Sequence, residues 1–239
     1  MNKESFLAIL ILLACLVSLS SRSQEKDNTL SNQEKKQGWK LLFDGKDMNG
    51  WRTYKNKPTN SWEVVNGELH CKGNVTDKSD KRSDLITTDQ YGNFELTVEW
   101  KISKAGNSGI MYHVTEDYDA PYLSGPEYQL IDDEGFPEKL EDWQKTAADY
   151  AMYTTTARPT KPVGEYNLTK IVVNGNHREY WLNGVKVLEF EAWTPDWNKR
   201  KMEGKWKDAP GYGMAKTGYI CLQDHGSEIW FRNIKVKKL

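Results

Sequence analysis

The stretch NFELTVEWKIS, residues 93 to 103, puts Phe94, Leu96, Val98, Trp100 and Ile102 at every second position and Glu95, Thr97, Glu99 and Lys101 between them. Side chains two apart on a strand share a face, so a period of two predicts a strand with one buried and one wet face. On either side the punctuation is that of β structure. WEVVNGELHCKG (62 to 73) is two short runs joined by Asn66-Gly67, and KIVVNGNHREYWLNGVKVLEFE (170 to 191) carries Asn174-Gly175 and Asn183-Gly184. Asn-Gly tolerates positive φ at both turn positions and is a strong hairpin signal, so these segments predict a hairpin and a three-stranded meander. About ten such strands without long helices predict an all-β domain over residues 37 to 239, two antiparallel sheets packed face to face.

Two excursions break the pattern. FPEKLEDWQKTAADYAMY, within residues 133 to 165, predicts a short helix, and Thr194-Pro195 predicts the start of another within 192 to 216. Loops of this length on a compact β domain are commonly binding walls, and Trp193, Trp197, Trp206 and Tyr212 offer flat faces for a sugar or cover for the sandwich edge.

The 239 residues carry a net charge of −1, which gives no field for attracting nucleic acid or an anionic membrane. Residues 1 to 23, MNKESFLAILILLACLVSLSSRS, have a basic start, an apolar run and small polar residues, as an export signal does. Leu13-Ala14-Cys15 resembles a lipoprotein box, with a lipid anchor at Cys15. The apolar run continues past Cys15, however, which favours cleavage near Ser23 and a periplasmic, secreted or cell-surface protein. Residues 24 to 36, QEKDNTLSNQEKK, are polar and charged and predict a flexible tether. Cys71 and Cys221 remain, expected as two buried free thiols because a domain of this size needs no disulfide.

Parity also sorts the chemistry-bearing residues. In GIMYHV (109 to 114), Met111 and His113 share a face; in PEYQLIDD (126 to 133), Glu127 and Gln129 do; in YICLQDHG (219 to 226), Gln223 and His225 do. If these strands are neighbours, amide, imidazole and carboxyl groups merge into one patch suited to orienting hydroxyls and moving protons. A solvated sheet face is the plainer alternative. Glu127 to Asp132 also has the bulged E-x-D-x-x-E spacing of β-sandwich glucanases, with Gln129 at the middle acid. Direct retaining hydrolysis would need Glu127 and Asp132 about 5 Å apart on one face.

Six phrases in order, LLFDGKDMNGW (41 to 51), WEVVNGELH (62 to 70), DLITTDQYGNFELTVEWKI (84 to 102), GNSGIMYHV (106 to 114), PEYQLIDD (126 to 133) and TGYICLQDHGSEIWFRNIKVKKL (217 to 239), resemble the 3-keto-disaccharide hydrolase domain family. The resemblance implies a concanavalin A-like jelly-roll sandwich and a carbohydrate substrate already oxidised at C3. It implies cleavage by removal of the C2 proton, elimination of the aglycone and hydration. Such a site needs one base, one acid and a group to stabilise the enolate oxygen, and a divalent metal ion or amide donors would serve for the last. On that basis Glu127 and His225 are the expected base and acid, in either order. Asp132 or Asp224 is expected to orient the imidazole, and Gln129, Gln223, Asn107 and Ser108 to bind sugar oxygens. Lys205, in EGKWKD with Trp206, is expected to reach the site from its loop. His113 stands where relatives often carry Arg. A direct β-glycosidase and a non-catalytic glycan-binding module are the alternative functions, since fold alone does not fix activity.

Overall fold

The computed structural model describes residues 26–74 and 79–239; the export segment with Cys15 lies outside them. In chain order the elements are α1 (Asn32–Lys36), β1 (Trp39–Leu41), β2 (Trp51–Thr53), β3 (Trp62–Val65), β4 (Glu68–Cys71), β5 (Leu85–Thr87) and β6 (Phe94–Ile102). There follow β7 (Asn107–Val114), β8 (Glu127–Ile131), β9 (Asn167–Asn174), β10 (His177–Leu182), β11 (Val185–Glu191), α2 (Pro195–Glu203), β12 (Tyr219–Leu222) and β13 (Ile229–Lys238). The larger sheet runs β11-β10-β9-β6-β13-β4-β3, with β1 also on β13, and the smaller runs β2-β5-β12-β7-β8. Every pairing is antiparallel, as the run of strands and hairpin turns without long helices predicts.

Strand β6 holds the centre of the larger sheet, and its five apolar residues are all buried. They meet Ile110, Tyr112, Tyr128 and Leu130 from the smaller sheet in one core. Each such side chain contributes about 1.5–3 kcal/mol on leaving water, so this layer drives the folding. Phenols also tie the sheets together. Tyr112 Oη lies 3.0 Å from Tyr180 Oη, and Tyr128 Oη donates to the Trp181 carbonyl at 3.2 Å. Asn66-Gly67 and Asn183-Gly184 take positive φ at both positions, as their hairpins require. Cys71 and Cys221 are free and buried, and burial raises both thiol pKa values.

Three expectations are corrected. The segment 133 to 165 forms no α-helix. It has a single 3-10 turn at Asp142–Gln144 and then runs along the free edge of β8. There Ala147 donates to the Gln129 carbonyl at 2.9 Å, Gln129 to Ala148 at 3.1 Å, and Tyr150 to Glu127 at 3.0 Å. An unpaired strand edge needs partners for its backbone groups, and that demand outweighs the helical propensity of TAADYA.

The second correction concerns 24 to 36, where the described residues from Asp27 onward are docked rather than free. Asn28 and Asn233 exchange backbone-to-side-chain hydrogen bonds of 2.6 and 2.8 Å, Asp27 pairs with Arg232, and Glu34 pairs with Lys235. Polar composition gave no sign of this, because the partners belong to an irregularity in β13 where Asn233 has φ 50°.

The third is His113. Tyr219 pairs with Val114 but Cys221 with Met111, so β7 carries an extra residue there, and His113 adopts φ 54°. This bulge reverses parity. The His113 ring turns inward against Phe94 and Tyr112, with Nε2 2.8 Å from the Gly92 carbonyl oxygen, and burial lowers its pKa to about 4.

Candidate active site

On the smaller sheet, β8 aims Tyr128 and Leu130 into the core and Glu127 and Gln129 to the opposite face. Next to it, β7 contributes Asn107, and the chain leaving β12 contributes Gln223 and His225. These five line one cleft of about 310 Å³ together with Tyr122, Tyr150, Lys205 and Trp206. That volume stands at the small end of ligand pockets, which run from about 300 to 1,000 Å³.

Glycine at position 109 makes room for the carboxyl. A Cβ there would overlap the Glu127 carboxyl group, and Gly109 is the strand neighbour of Gln129. Glu127 is 4% exposed, and burial raises its pKa to about 8. The Lys205 ammonium opposes that rise, while the charges of Asp84 and Asp149 add to it. At neutral pH Glu127 is therefore chiefly a neutral carboxylic acid able to donate a proton. Asp149 is itself buried, with a pKa raised to about 7 by that burial, and accepts from Tyr180 Oη at 3.3 Å.

Amides form the next part of the wall. Gln129 Nε2 donates to Asn107 Oδ1 at 3.4 Å. Gln129 Oε1 and Gln223 Oε1 are buried without a hydrogen-bond partner among the described residues. Buried acceptors are normally satisfied, so two unsatisfied ones in a cleft are ready to take ligand hydroxyl donors. With Glu127 and His225 they are also the groups in the cleft that could ligate a metal ion. The one cluster of three His and acidic ligands found among the described residues is His177, Glu179 and Glu189 on the larger sheet. There the Lys186 ammonium already lies 3.3 Å from Glu179 and 2.5 Å from Glu189.

Loops bring the remaining wall. Trp206 stacks on Tyr212 with centroids 4.1 Å apart, and its Nε1 donates to the Tyr150 carbonyl at 3.1 Å. Lys205 Nζ sits 4.3 Å from the Tyr150 ring centroid. Helix α2, capped by Thr194 at its N-terminus, anchors this loop from the other side through Trp197 stacked on Tyr212.

Of the residues singled out in the sequence, Glu127, Gln129, Asn107, Gln223, His225, Lys205 and Trp206 converge here. Four do not. Asp132 turns away, accepting from the Ala105 and Gly135 amides at 2.8 and 2.9 Å. It borders a separate cleft of about 330 Å³ floored by Trp100, Ile102 and Ile131, which brings together no imidazole. Asp224 does not face the imidazole; it pairs with Arg82 at 2.6 Å and so holds the turn that presents His225. Ser108 Oγ donates to the Gln223 carbonyl at 2.8 Å, a clamp between β7 and the end of β12. His113 lies beyond the bulge.

Tyr122 and Tyr150 were not legible as site residues, because loops carry them and strand parity says nothing of loops. Gly109 could have been noticed, since a glycine inside a strand marks a close approach.

A 3-keto-disaccharide hydrolase of Bacteroides thetaiotaomicron is 36% identical over 228 residues, covering 84% of this chain and 79% of that protein. A candidate glycosyl hydrolase of known structure from Parabacteroides distasonis is 42% identical with a TM-score of 0.83, covering 90% of this chain and all of that one. A second from the same organism is 30% identical with a TM-score of 0.64, covering 84% and 99%. The match to the family itself spans residues 38–237, from just before β1 almost to the end of β13, and thus includes every wall of the cleft. The chain therefore belongs to the 3-keto-alpha-glucoside-1,2-lyase-like domain family.

Proposed function

We propose that the cleft cleaves glycosides whose sugar is already oxidised at C3, by elimination followed by hydration. The observation that carries this reading is that one neutral, buried carboxyl faces the cleft with an imidazole, while Asp132, the partner a direct retaining hydrolase would need, is turned away. Family membership and the name of the 36% identical relative support it.

The C3 ketone acidifies the C2 hydrogen. His225, exposed at the rim, takes that proton as its electron pair moves into an enolate; the enolate then expels the C1 oxygen, forming a C1=C2 double bond. Glu127 gives its proton to the departing oxygen, matching a pKa raised to about 8. The Gln223 and Asn107 amides are the donors available to the enolate oxygen. Water then adds its oxygen at C1 and a proton at C2, so the net change is hydrolysis. Residues 1 to 23 support export of the enzyme to the periplasm or cell surface.

The test is incubation with a 3-keto-glucoside bearing a chromogenic aglycone in heavy water. Aglycone release with deuterium at C2 is expected. Release with C2 hydrogen fully retained, or equal turnover of the unoxidised glycoside, would overturn the mechanism.

A further inference from the structure

The cleft has a direction along β8. The amides of Asn107 and Gln129 lie towards the strand's C-terminal end, where Asn107 pairs with Ile131. The aromatic residues lie at its start, where the Tyr150 amide donates to the Glu127 carbonyl and Tyr122 precedes the strand by five residues. Glu127 stands between the two. A group that protonates the leaving oxygen has to sit at the junction between the sugar and what leaves it, so the hydroxyl-binding amides take the oxidised sugar and the aromatic end takes the leaving group.

At that end Tyr122 differs from its neighbour. Trp206 is 2% exposed and held in a stacked column with Tyr212 and Trp197, whereas Tyr122 is 42% exposed and still lines the cleft. Its backbone is nevertheless fixed. Tyr122 belongs to a single 3-10 turn, Pro121–Leu123, and the Ser124 and Gly125 amides both donate to the Pro121 carbonyl. Ser124 Oγ also accepts from the Thr115 amide at 3.0 Å. The ring is backed by Trp206, with centroids 6.5 Å apart. An aromatic face carried on a fixed backbone and left open inside a cleft is suited to stacking, since only the side chain remains to be ordered when a flat apolar face binds.

We propose that Tyr122 is the platform on which the leaving group stacks, and that it makes the enzyme selective for glycosides whose leaving group has a flat apolar face, an aryl ring or a second pyranose. This rests on the reading of the cleft given above. An exposed tyrosine on a loop can also be mere surface, and the following comparison separates the two.

The kcat and KM of the wild type, Tyr122→Ala and Tyr122→Phe are measured on the methyl and the 4-nitrophenyl glycosides of 3-keto-glucose. The expected result is a ratio of kcat/KM, aryl over methyl, that falls about tenfold in Tyr122→Ala through KM and is restored in Tyr122→Phe. An unchanged ratio, or a fall that Phe does not restore, would overturn the proposal. If the wild type cleaves neither substrate, the mechanism above has failed and the platform is judged by binding alone. Titration with 4-nitrophenyl and methyl glucoside should then show aryl preference in the wild type and its loss in Tyr122→Ala, and equal affinities in both proteins would refute it.

Discussion

Gly109 and Glu127 occupy one space: the site where a Cβ at position 109 would project is filled by the Glu127 carboxyl group. The glycine is thus part of how the acid is placed, although it touches no substrate. Gly109→Ala should leave a folded protein, since its φ lies outside the left-handed region, yet displace the carboxyl. We expect kcat to fall by about a hundredfold, as a shift near 1 Å at a reacting group does. Unaltered circular dichroism beside that loss is the check; an active alanine variant would mean that Glu127 has room elsewhere.

The raised pKa of Glu127 has consequences for both rate and stability. As the proton donor it should give kcat an alkaline limb near pH 8, and Lys205→Met should move that limb upward, because the ammonium favours the carboxylate form. A base in its place would give a rate that rises through the same range.

For stability the sign is fixed by a folded pKa above the ordinary carboxylate value. Relative to the unfolded chain, the folded state loses stability as pH rises from about 4.5 towards 8. Glu127→Gln should therefore be inactive and more stable, with a gain that grows across this window to a few kcal/mol at pH 8, roughly 1.4 kcal/mol per pKa unit. Urea melts at pH 5 and pH 8 test this, and equal gains at both would contradict it.

Asp224 and Arg82 bear on the other half of the chemistry. The Asp224 side chain is fully buried, Arg82 is mostly so, and the Asp224 amide donates to Asp84 at 2.8 Å. Asp224→Asn should cost about 1.5–3 kcal/mol by removing the shorter of the two carboxylate contacts of Arg82, with Asp80 remaining at 3.3 Å. It should also lower kcat, because the turn carrying His225 loosens. Arg82→Lys, which keeps the charge and loses the fork, should fall between; full activity in both variants would free His225 from this support.

The same physical rule explains what could be read from the sequence and what could not. Alternation of side chains placed β6 in the core and Glu127 and Gln129 on one face of β8, because those strands are regular where these residues stand, while Gln223 and His225 reach the same cleft from the chain just beyond β12. It failed at His113, where one inserted residue reverses the parity, and at Asp132, which has left the strand for a turn. Bulges and turns are set by pairing partners distant in the chain, which a local period cannot register. Tyr122 and Tyr150 were hidden for the related reason that loops are placed by what they pack on.

The docked N-terminal segment gives the last test. Asn28 is 7% exposed, gives and receives a hydrogen bond with Asn233, and donates through Nδ2 to the Gly67 carbonyl at 2.7 Å. Asn28→Ala would leave the Asn233 amide and the Gly67 carbonyl without their partners inside the fold. Each such loss costs on the order of 1 kcal/mol, so a fall of about 2 kcal/mol is expected, with kcat unaffected because the segment lies on the larger sheet. A free tether would show no change in the urea midpoint, and that outcome would return residues 27 to 36 to the role their composition suggests.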